Sequence, residues 1–397
     1  MTEKSINGVI SAKKIYLLNG SNDVVENAGI EIQNGKIKRI LNSNDMKNVK
    51  IIASGEILTP GFVDAHTHLG LYYESFVYEQ KDGNEATNPL TPEIQALDGI
   101  WPQDTCFNQA REGGITTACV TPGSANVIGG VVSVIKTAGE RVDDMIIRHP
   151  AGIKCALGIN PKTVYKSQKK APTTRMATAH LLRKTLIETK EYMEKKKKIE
   201  EPEKKPPYDQ GKENLCKVLK KEIPLRIHCA RSDDLYTALR IQKEFDIDIV
   251  LDHAYEAHMA GLPEILAKQK TKVILGPSFR VKGSSESQNF SFKTAKILLD
   301  HGLDTCQMTD HPVIPIQYLP IQAALCVKEG LPYINALKSI TINAAKILQI
   351  DDRVGSIEIK KDADLVLFNG DPLDPKTNVL MTFINGKKVF DRETKNS

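Results

Sequence analysis

The feature that most limits the fold is an alternation of short apolar runs with helical stretches between residues 60 and 350. We count eight runs: GFVDAHTH, GITTACV, MIIRH, GIKCALG, LRIHCA, DIVLDHA, KVILGP and DTCQMTD. Stretches with helical periodicity, such as PQDTCFNQAREG and DDLYTALRIQKEFD, lie between most of them. Eight strands that alternate with helices over roughly 290 residues predict an α/β protein with a (β/α)8 TIM barrel. The Gly-rich segment TPGSANVIGG after the second run is expected to form a loop at the barrel rim, and it lacks the Lys-Ser/Thr of a phosphate loop.

The two ends of the chain have a different pattern, in which short strand signals are broken by turns. Asn-Gly pairs at 19–20 and 34–35 are hairpin signals, and the C-terminal stretches GSIEIKKDADLVLFNGDP and VLMTFINGKKVFD look similar. Isolated hairpins are only marginally stable, so the two ends are expected to pair with each other. This predicts a small composite β-sandwich domain from residues 1–58 and 352–397, with the barrel at 59–351.

Composition narrows the class of protein. The net charge is +5, with 54 Lys+Arg against 49 Asp+Glu, which is too small a surplus to indicate nucleic acid binding. No apolar stretch approaches the roughly 18 residues that a membrane span needs, and the first residues lack the apolar core of a signal peptide. The seven cysteines show no paired spacing and are expected to be reduced thiols in a cytoplasmic protein.

Histidines and an aspartate end several of the predicted barrel strands. His66 and His68 are two residues apart on the first strand, so their side chains point to the same side. His228, His253 and Asp310 each end a further run. Because barrel enzymes keep their chemistry at the C-terminal ends of the strands, these five side chains are expected to meet. Imidazole and carboxylate are metal ligands, so the pattern predicts a metal centre; satisfied core histidines are the alternative for the first pair.

Three segments resemble the amidohydrolase superfamily of metal-dependent hydrolases. PGFVDAHTHLG is similar to its His-x-His first-strand signature, GSIEIKKDADLVLFNGDPL to the strand pair that follows the barrel, and ALKSITINAAKILQI to the helix that precedes this strand pair. The resemblance covers nearly the whole chain, and imidazolonepropionase-like and prolidase-like amidohydrolases look nearest. It implies the metal ligands His66, His68, His228, His253 and Asp310.

The resemblance also bears on how many ions are bound. Binuclear members carry a lysine on the fourth strand, carboxylated by carbon dioxide, that bridges two ions, and Lys154 stands at that place. The alternative is that Lys154 pairs with a carboxylate or faces away from the barrel. The sequence therefore leaves open whether one metal ion or two are bound. The implied cofactor is a divalent metal, zinc first, with iron or manganese as alternatives. Close relatives often carry a glutamate where this chain has Ile159.

The implied reaction is hydrolysis of an amide or cyclic amide C–N bond by a metal-activated water. Asp310 is the expected general base, and His253 either binds a second ion or hydrogen-bonds the substrate carbonyl. Superfamily deaminases usually carry a glutamate a few residues after the strand-5 histidine, and this chain has Arg231 in that stretch, which favours amide hydrolysis over deamination. Arg231, Lys162 and Arg175 follow predicted strands 4 and 5 and are candidates to bind a substrate carboxylate, the alternative for each being a surface cation.

Two other functions stay open. One is a metallo-dipeptidase of the prolidase-like kind, and the other is a non-catalytic scaffold that keeps the fold. The expected partner is a small-molecule substrate, which is open to being one that carries a carboxylate. Binding to nucleic acid or to a membrane is not expected, and whether the protein forms a homo-oligomer is left open.

Overall fold

Two β-sheets organise the chain in the computed structural model, which describes residues 6–72 and 81–395. The strands are β1 Gly8–Tyr16, β2 Val24–Gln33, β3 Lys36–Leu41, β4 Ile51–Pro60, β5 Phe62–Thr67, β6 Ile115–Val120, β7 Ile128–Lys136, β8 Ile146–Ala156, β9 Leu225–Cys229, β10 Ile249–His253, β11 Lys272–Leu275, β12 Cys306–Gln307, β13 Leu365–Phe368, β14 Val379–Ile384 and β15 Lys387–Asp391. The helices are α1 Thr105–Glu112, α2 Ile159–Ser167, α3 Arg175–Lys198, α4 Gln210–Leu219, α5 Ser232–Phe245, α6 Leu262–Gln269, α7 Lys293–Asp300, α8 Leu319–Lys328, α9 Tyr333–Ser339, α10 Ile342–Leu348 and α11 Arg392–Lys395.

One sheet is assembled from both ends of the chain, as the sequence predicts. Its seven strands follow the order β15-β14-β13-β4-β1-β2-β3. The link between the two ends is the antiparallel pairing of β4 with β13, in which Leu58 lies opposite Leu367. The pair Asn34-Gly35 forms a two-residue turn between β2 and β3, both residues having the positive φ that such a turn requires. The domain boundaries at 58/59 and 351/352 stay predictions.

The second sheet curls into a nearly closed eight-stranded barrel, in the order β12-β11-β10-β9-β8-β7-β6-β5. The (β/α)8 expectation is therefore confirmed at the level of fold class. The edges meet just beyond β12, where the Asp310 amide donates to the His66 carbonyl at 3.1 Å and the His68 amide to the His311 carbonyl at 2.9 Å. All six residues of β5 are buried, which explains why its sequence reads as a continuous apolar run.

The third barrel strand differs from the expectation. The runs MIIRH and GIKCALG are one strand, β8, and the third strand is β7, which begins inside the expected rim loop. β7 lies antiparallel to both neighbours, so no crossover helix is needed on either side. Gly130 has a φ of 113°, and a Cβ there would lie 2.5 Å from the Ile94 carbonyl oxygen. The Gly-rich signal therefore marks a close backbone approach within a strand, and only residues 121–127 form the loop.

Helices α3 and α4 lie between strands β8 and β9. No helix in the described ranges 6–72 and 81–395 is both long and apolar enough to cross a membrane. All seven cysteines are buried free thiols.

Candidate active site

The carboxyl ends of the barrel strands bring six predicted residues to one cavity of about 610 Å³. These residues are His66, His68, Lys154, His228, His253 and Asp310. His253 and Asp310 have positive φ values of 74° and 53°, so the backbone turns sharply at the end of β10 and just after β12. His66 on β5 and His68 just after it lie across the barrel seam from Asp310, because the closing hydrogen bonds join these two segments.

His66, His68 and Asp310 form the tightest group, with one possible ligand atom from each lying within 4.8 Å of the others. Asp310 Oδ1 is 3.4 Å from His66 Nε2 and 3.1 Å from His68 Nε2. His68 Nδ1 lies 2.8 Å from the Thr121 carbonyl oxygen, which can only accept, so this nitrogen carries the proton. His66 Nδ1 likewise faces Asp252 Oδ2 at 3.1 Å.

This tautomer pattern decides what the group can bind. With both Nδ1 atoms protonated, both neutral imidazoles turn a lone pair on Nε2 toward the Asp310 carboxylate. Three lone pairs therefore converge, with the Lys154 amine beside one of them at 3.2 Å from His66 Nε2, and a cation between the three ligand atoms removes the repulsion. The donor set fits a divalent metal ion, with the outer nitrogens held as metal-binding histidines usually are.

His228 and His253 form a second pair beside this group, with ring centroids 4.1 Å apart. His253 Nδ1 donates to the Gly276 carbonyl oxygen at 3.0 Å, which leaves His253 Nε2 as a buried acceptor without a hydrogen-bond partner among the described residues. Burial and the neighbouring cationic groups lower the pKa of His253 well below its ordinary value. His228 Nε2 lies 3.3 Å from Asn160 Nδ2. The His253 ring thus offers a second lone pair to a cation.

Lys154 projects from β8 into the same cavity. Its Nζ lies 3.2 Å from His66 Nε2 and 3.8 Å from Asp252 Oδ2. Burial lowers the pKa of Lys154, while the carboxylates of Asp252 and Asp310 act in the opposite direction. Lys154 therefore lies next to the group formed by His66, His68 and Asp310, and it does not face away from the barrel.

A buried ion pair beneath the histidines was missed by the sequence reasoning. Arg226 Nη2 lies 2.8 Å from Asp252 Oδ1 and also donates to the Ala65 carbonyl oxygen at 2.9 Å. Burial alone would raise the pKa of Asp252, but Arg226 and His66 hold it well below its usual value. The available signal was a charged residue inside each apolar run, Arg in PLRIHCA and Asp in DIVLDHA.

Asp64 anchors the end of the barrel at which Asp310 lies. Its carboxylate accepts hydrogen bonds from the Thr309 hydroxyl at 2.5 Å and from the Thr309 amide at 3.2 Å. Asp64 is fully buried, and burial raises its pKa to about 7. The contact fixes the residue directly before Asp310 against the strand that carries His66.

The cavity wall includes an acid that the sequence did not single out. Glu286 lies in the long loop after β11, and its Oε1 accepts from the Ile159 amide at 2.6 Å and from Arg175 at 2.9 Å. Its Oε2 is 3.9 Å from His228 Nε2. A carboxylate therefore lies next to Ile159, although it belongs to a different loop. The position of Glu286 could not be predicted from sequence periodicity, because it depends on how that loop folds.

None of the three cations proposed from sequence to bind substrate lines the cavity, and two of them, Arg231 and Arg175, approach the same Asp233 carboxylate at 2.8 and 3.9 Å. Arg231 pairs with Asp233 at 2.8 Å outside the cavity lining. Arg175 begins α3 and touches the cavity only through Glu286. Lys162 lies on α2, and its side chain is not part of the lining.

Comparisons with known proteins agree with this architecture. A family model described as the amidohydrolase family matches residues 57–389. The chain is 29% identical over 365 residues to amidohydrolase tasK of Hapsidospora irregularis, which covers 85% of this chain but only 37% of that longer relative. It is 24% identical over 406 residues to an imidazolonepropionase of Thermoplasma volcanium, covering 93% and 92% of the two chains. A crystal structure of an amidohydrolase from Thermotoga maritima matches with a TM-score of 0.92 at 39% identity, covering 97% of this chain and 100% of that one.

The family match extends from the end of β4 through the whole barrel to β15. It therefore takes in both the cavity with its histidines and the C-terminal strands that pair with β4. The resemblance inferred from the three sequence segments is confirmed. The chain belongs to the amidohydrolase family, a family of hydrolases that act on carbon–nitrogen bonds.

Proposed function

We propose that this protein hydrolyses the C–N bond of a small amide or cyclic amide with a water molecule activated by a divalent metal ion. The observation that carries the proposal is the convergence of three lone pairs, from His66, His68 and Asp310, within 4.8 Å in a buried part of a 610 Å³ cavity. When bound, a divalent ion lowers the pKa of water toward about 7 and polarises a carbonyl group.

His66 Nε2, His68 Nε2 and Asp310 Oδ1 would hold the first ion. His228 and His253 would hold a second ion. Lys154 would be a ligand of both ions as a carbamate, which forms when its neutral amine adds to carbon dioxide and loses a proton. Imidazole and carboxylate donors suit zinc first, and iron and manganese accept the same donors. Support for the second position comes from the acceptor Nε2 of His253 and from the nearness of Lys154 Nζ to His66.

Asp310 is the residue we assign to proton transfer. A carboxylate beside a divalent ion stays ionised, so Asp310 would be able to take a proton from the activated water and pass it to the leaving nitrogen. His253 is a less suitable donor to the substrate carbonyl, because its Nδ1 proton is already engaged by Gly276. This favours His253 as a ligand over His253 as a hydrogen-bond donor.

The test combines metal analysis with a hydrolysis panel of N-acyl amino acids, dipeptides and cyclic ureides. His68→Ala is expected to lose bound metal and all turnover while the far-ultraviolet circular dichroism is unchanged. His301→Ala is the matched control, since that exposed histidine caps α7 away from the cavity. Full metal occupancy in a His66→Ala/His68→Ala double variant would contradict the proposal, as would a metal-supplemented wild-type protein that binds no metal.

A further inference from the structure

Arg280 differs from the other charged side chains that line the cavity. Lys154 and Glu286 each lie within 4 Å of an oppositely charged side chain, and Asp310 lies beside two histidines. Arg280 is exposed, lines the cavity and forms no ion pair with any carboxylate in residues 6–72 or 81–395. A guanidinium has five N–H donors in a planar fork that matches a carboxylate. Arg280 hydrogen-bonds the Tyr255 side chain, which engages part of this fork, and the remaining donors are available to whatever enters the cavity.

Tyr255 relates Arg280 to the reacting centre. The Tyr255 ring lies 6.0 Å from the His253 ring, centroid to centroid, and its hydroxyl donates to the Pro277 carbonyl oxygen at 3.0 Å. Burial raises the pKa of Tyr255, and the nearby charge of Arg280 opposes that rise. One tyrosine ring thus separates the guanidinium from the histidine pair, so one small molecule can contact both.

The loop that carries Arg280 is anchored on both sides of this residue. Before it, the Ser278 amide donates to Gln322 Oε1 at 3.3 Å. After it, Glu286 binds the Ile159 amide and Arg175, and Asn289 donates to Glu256 at 2.8 Å. A cation on an anchored loop is pre-organised, because less conformational freedom is lost when it binds a ligand.

We propose that Arg280 is the anion subsite of this cavity and binds a carboxylate of the substrate. The proposal rests on the hydrolytic function above and narrows its substrates to amides that carry a carboxylate near the scissile bond, such as N-acyl amino acids and dipeptides. Arg231 and Arg175 are weaker candidates for this role, since each already binds a carboxylate of the chain.

The experiment compares ligands that differ only in the carboxylate. Isothermal titration calorimetry measures the binding of N-acetylglycine, N-acetylleucine and hippurate, each against its neutral carboxamide, to the metal-loaded and the metal-depleted full-length protein. The wild type is expected to bind at least one carboxylate about tenfold or more tightly than its amide, the usual scale for a charge-assisted hydrogen bond. Arg280→Met should abolish that preference in both metal states, and Arg280→Lys should restore part of it.

Lys282→Met is the matched control, since Lys282 is an exposed cation of the same loop that is not part of the cavity lining. It should keep the full preference, and thermal unfolding should show that all variants fold. Equal affinity for carboxylates and amides in the wild type, no measurable binding of any carboxylate, or a preference that survives Arg280→Met would overturn the proposal. Loss of the preference in Arg231→Met alone would move the subsite to that residue and equally overturn it.

The same samples separate this proposal from the proposed function. Metal content and hydrolysis of the panel are measured beside binding. An Arg280-dependent preference without hydrolysis would leave the anion subsite standing and count against the hydrolytic function. Hydrolysis of neutral amides at rates equal to their carboxylates would support that function and refute the subsite.

Discussion

Replacing Arg226 with methionine is expected to cost about 3–5 kcal/mol of the free energy of unfolding, because it leaves Oδ1 of the buried Asp252 carboxylate without its guanidinium partner. Both side chains are essentially inaccessible, at 1% and 0% exposure. Methionine keeps most of the volume of the arginine stem, so the change removes charge and hydrogen bonds more than packing.

The magnitude follows from the contacts of the guanidinium. Arg226 makes two contacts to Asp252 Oδ1, at 2.8 and 3.3 Å, and one to the Ala65 carbonyl oxygen at 2.9 Å. All of these are buried, where an unpaired charge cannot be rescued by water. A partly exposed arginine–glutamate ion pair gives a cost with which the buried pair can be compared. Arg183 pairs with Glu244 at exposures of 29% and 42%, and Arg183→Met is expected to cost no more than about 1 kcal/mol.

Urea unfolding of the metal-free proteins measures these costs without a contribution from metal binding. The double variant Arg226→Met/Asp252→Asn should recover about 1–3 kcal/mol relative to the sum of the single costs, because both charges of the pair are removed together. Asp252→Asn alone should also weaken metal binding by about 10–100-fold, since Asp252 Oδ2 faces His66 Nδ1. A cost for Arg226→Met equal to that of Arg183→Met would refute the reasoning.

Three further results are expected. A crystal structure of the metal-loaded protein grown with bicarbonate should show three extra atoms on Lys154 Nζ; a bare amine more than about 4 Å from any metal would contradict the carbamate. Asp310→Asn should keep metal and lower kcat on a confirmed substrate by about 10²- to 10⁴-fold, while His311→Asn, which changes a ring outside the cavity lining, should lower it much less; equal losses would point away from Asp310 as the base. Gly130→Ala should be more destabilising in urea than Gly302→Ala, because both have positive φ but only at Gly130 would a Cβ meet a backbone carbonyl, at 2.5 Å; similar costs would contradict that contact.

The parts of the structure that could be predicted are those governed by period and position within a strand. His66 and His68 point together because side chains alternate along a strand, and strand ends in a barrel share one rim. β7 was missed because its two glycines resemble a loop signal, although their role is to admit a neighbouring backbone. Glu286 and Arg280 reach the cavity from a long loop, whose course depends on tertiary contacts that no periodic pattern records. Arg226 and Asp252 could have been noticed as charges inside apolar runs, but which partner each would meet depends on strand order.

The pairing of β4 with β13 also has a consequence for how the chain is made. These strands are about 300 residues apart in sequence, yet β4 leads directly into β5 and its two histidines. At translation rates of about 5–20 residues per second, β4 leaves the ribosome roughly 15–60 seconds before its partner is synthesised. During that interval one side of β4 is an unpaired strand edge, which is a template for pairing with another chain. The nascent polypeptide therefore depends on its last strands both to complete the sheet and to end its period of greatest exposure to aggregation.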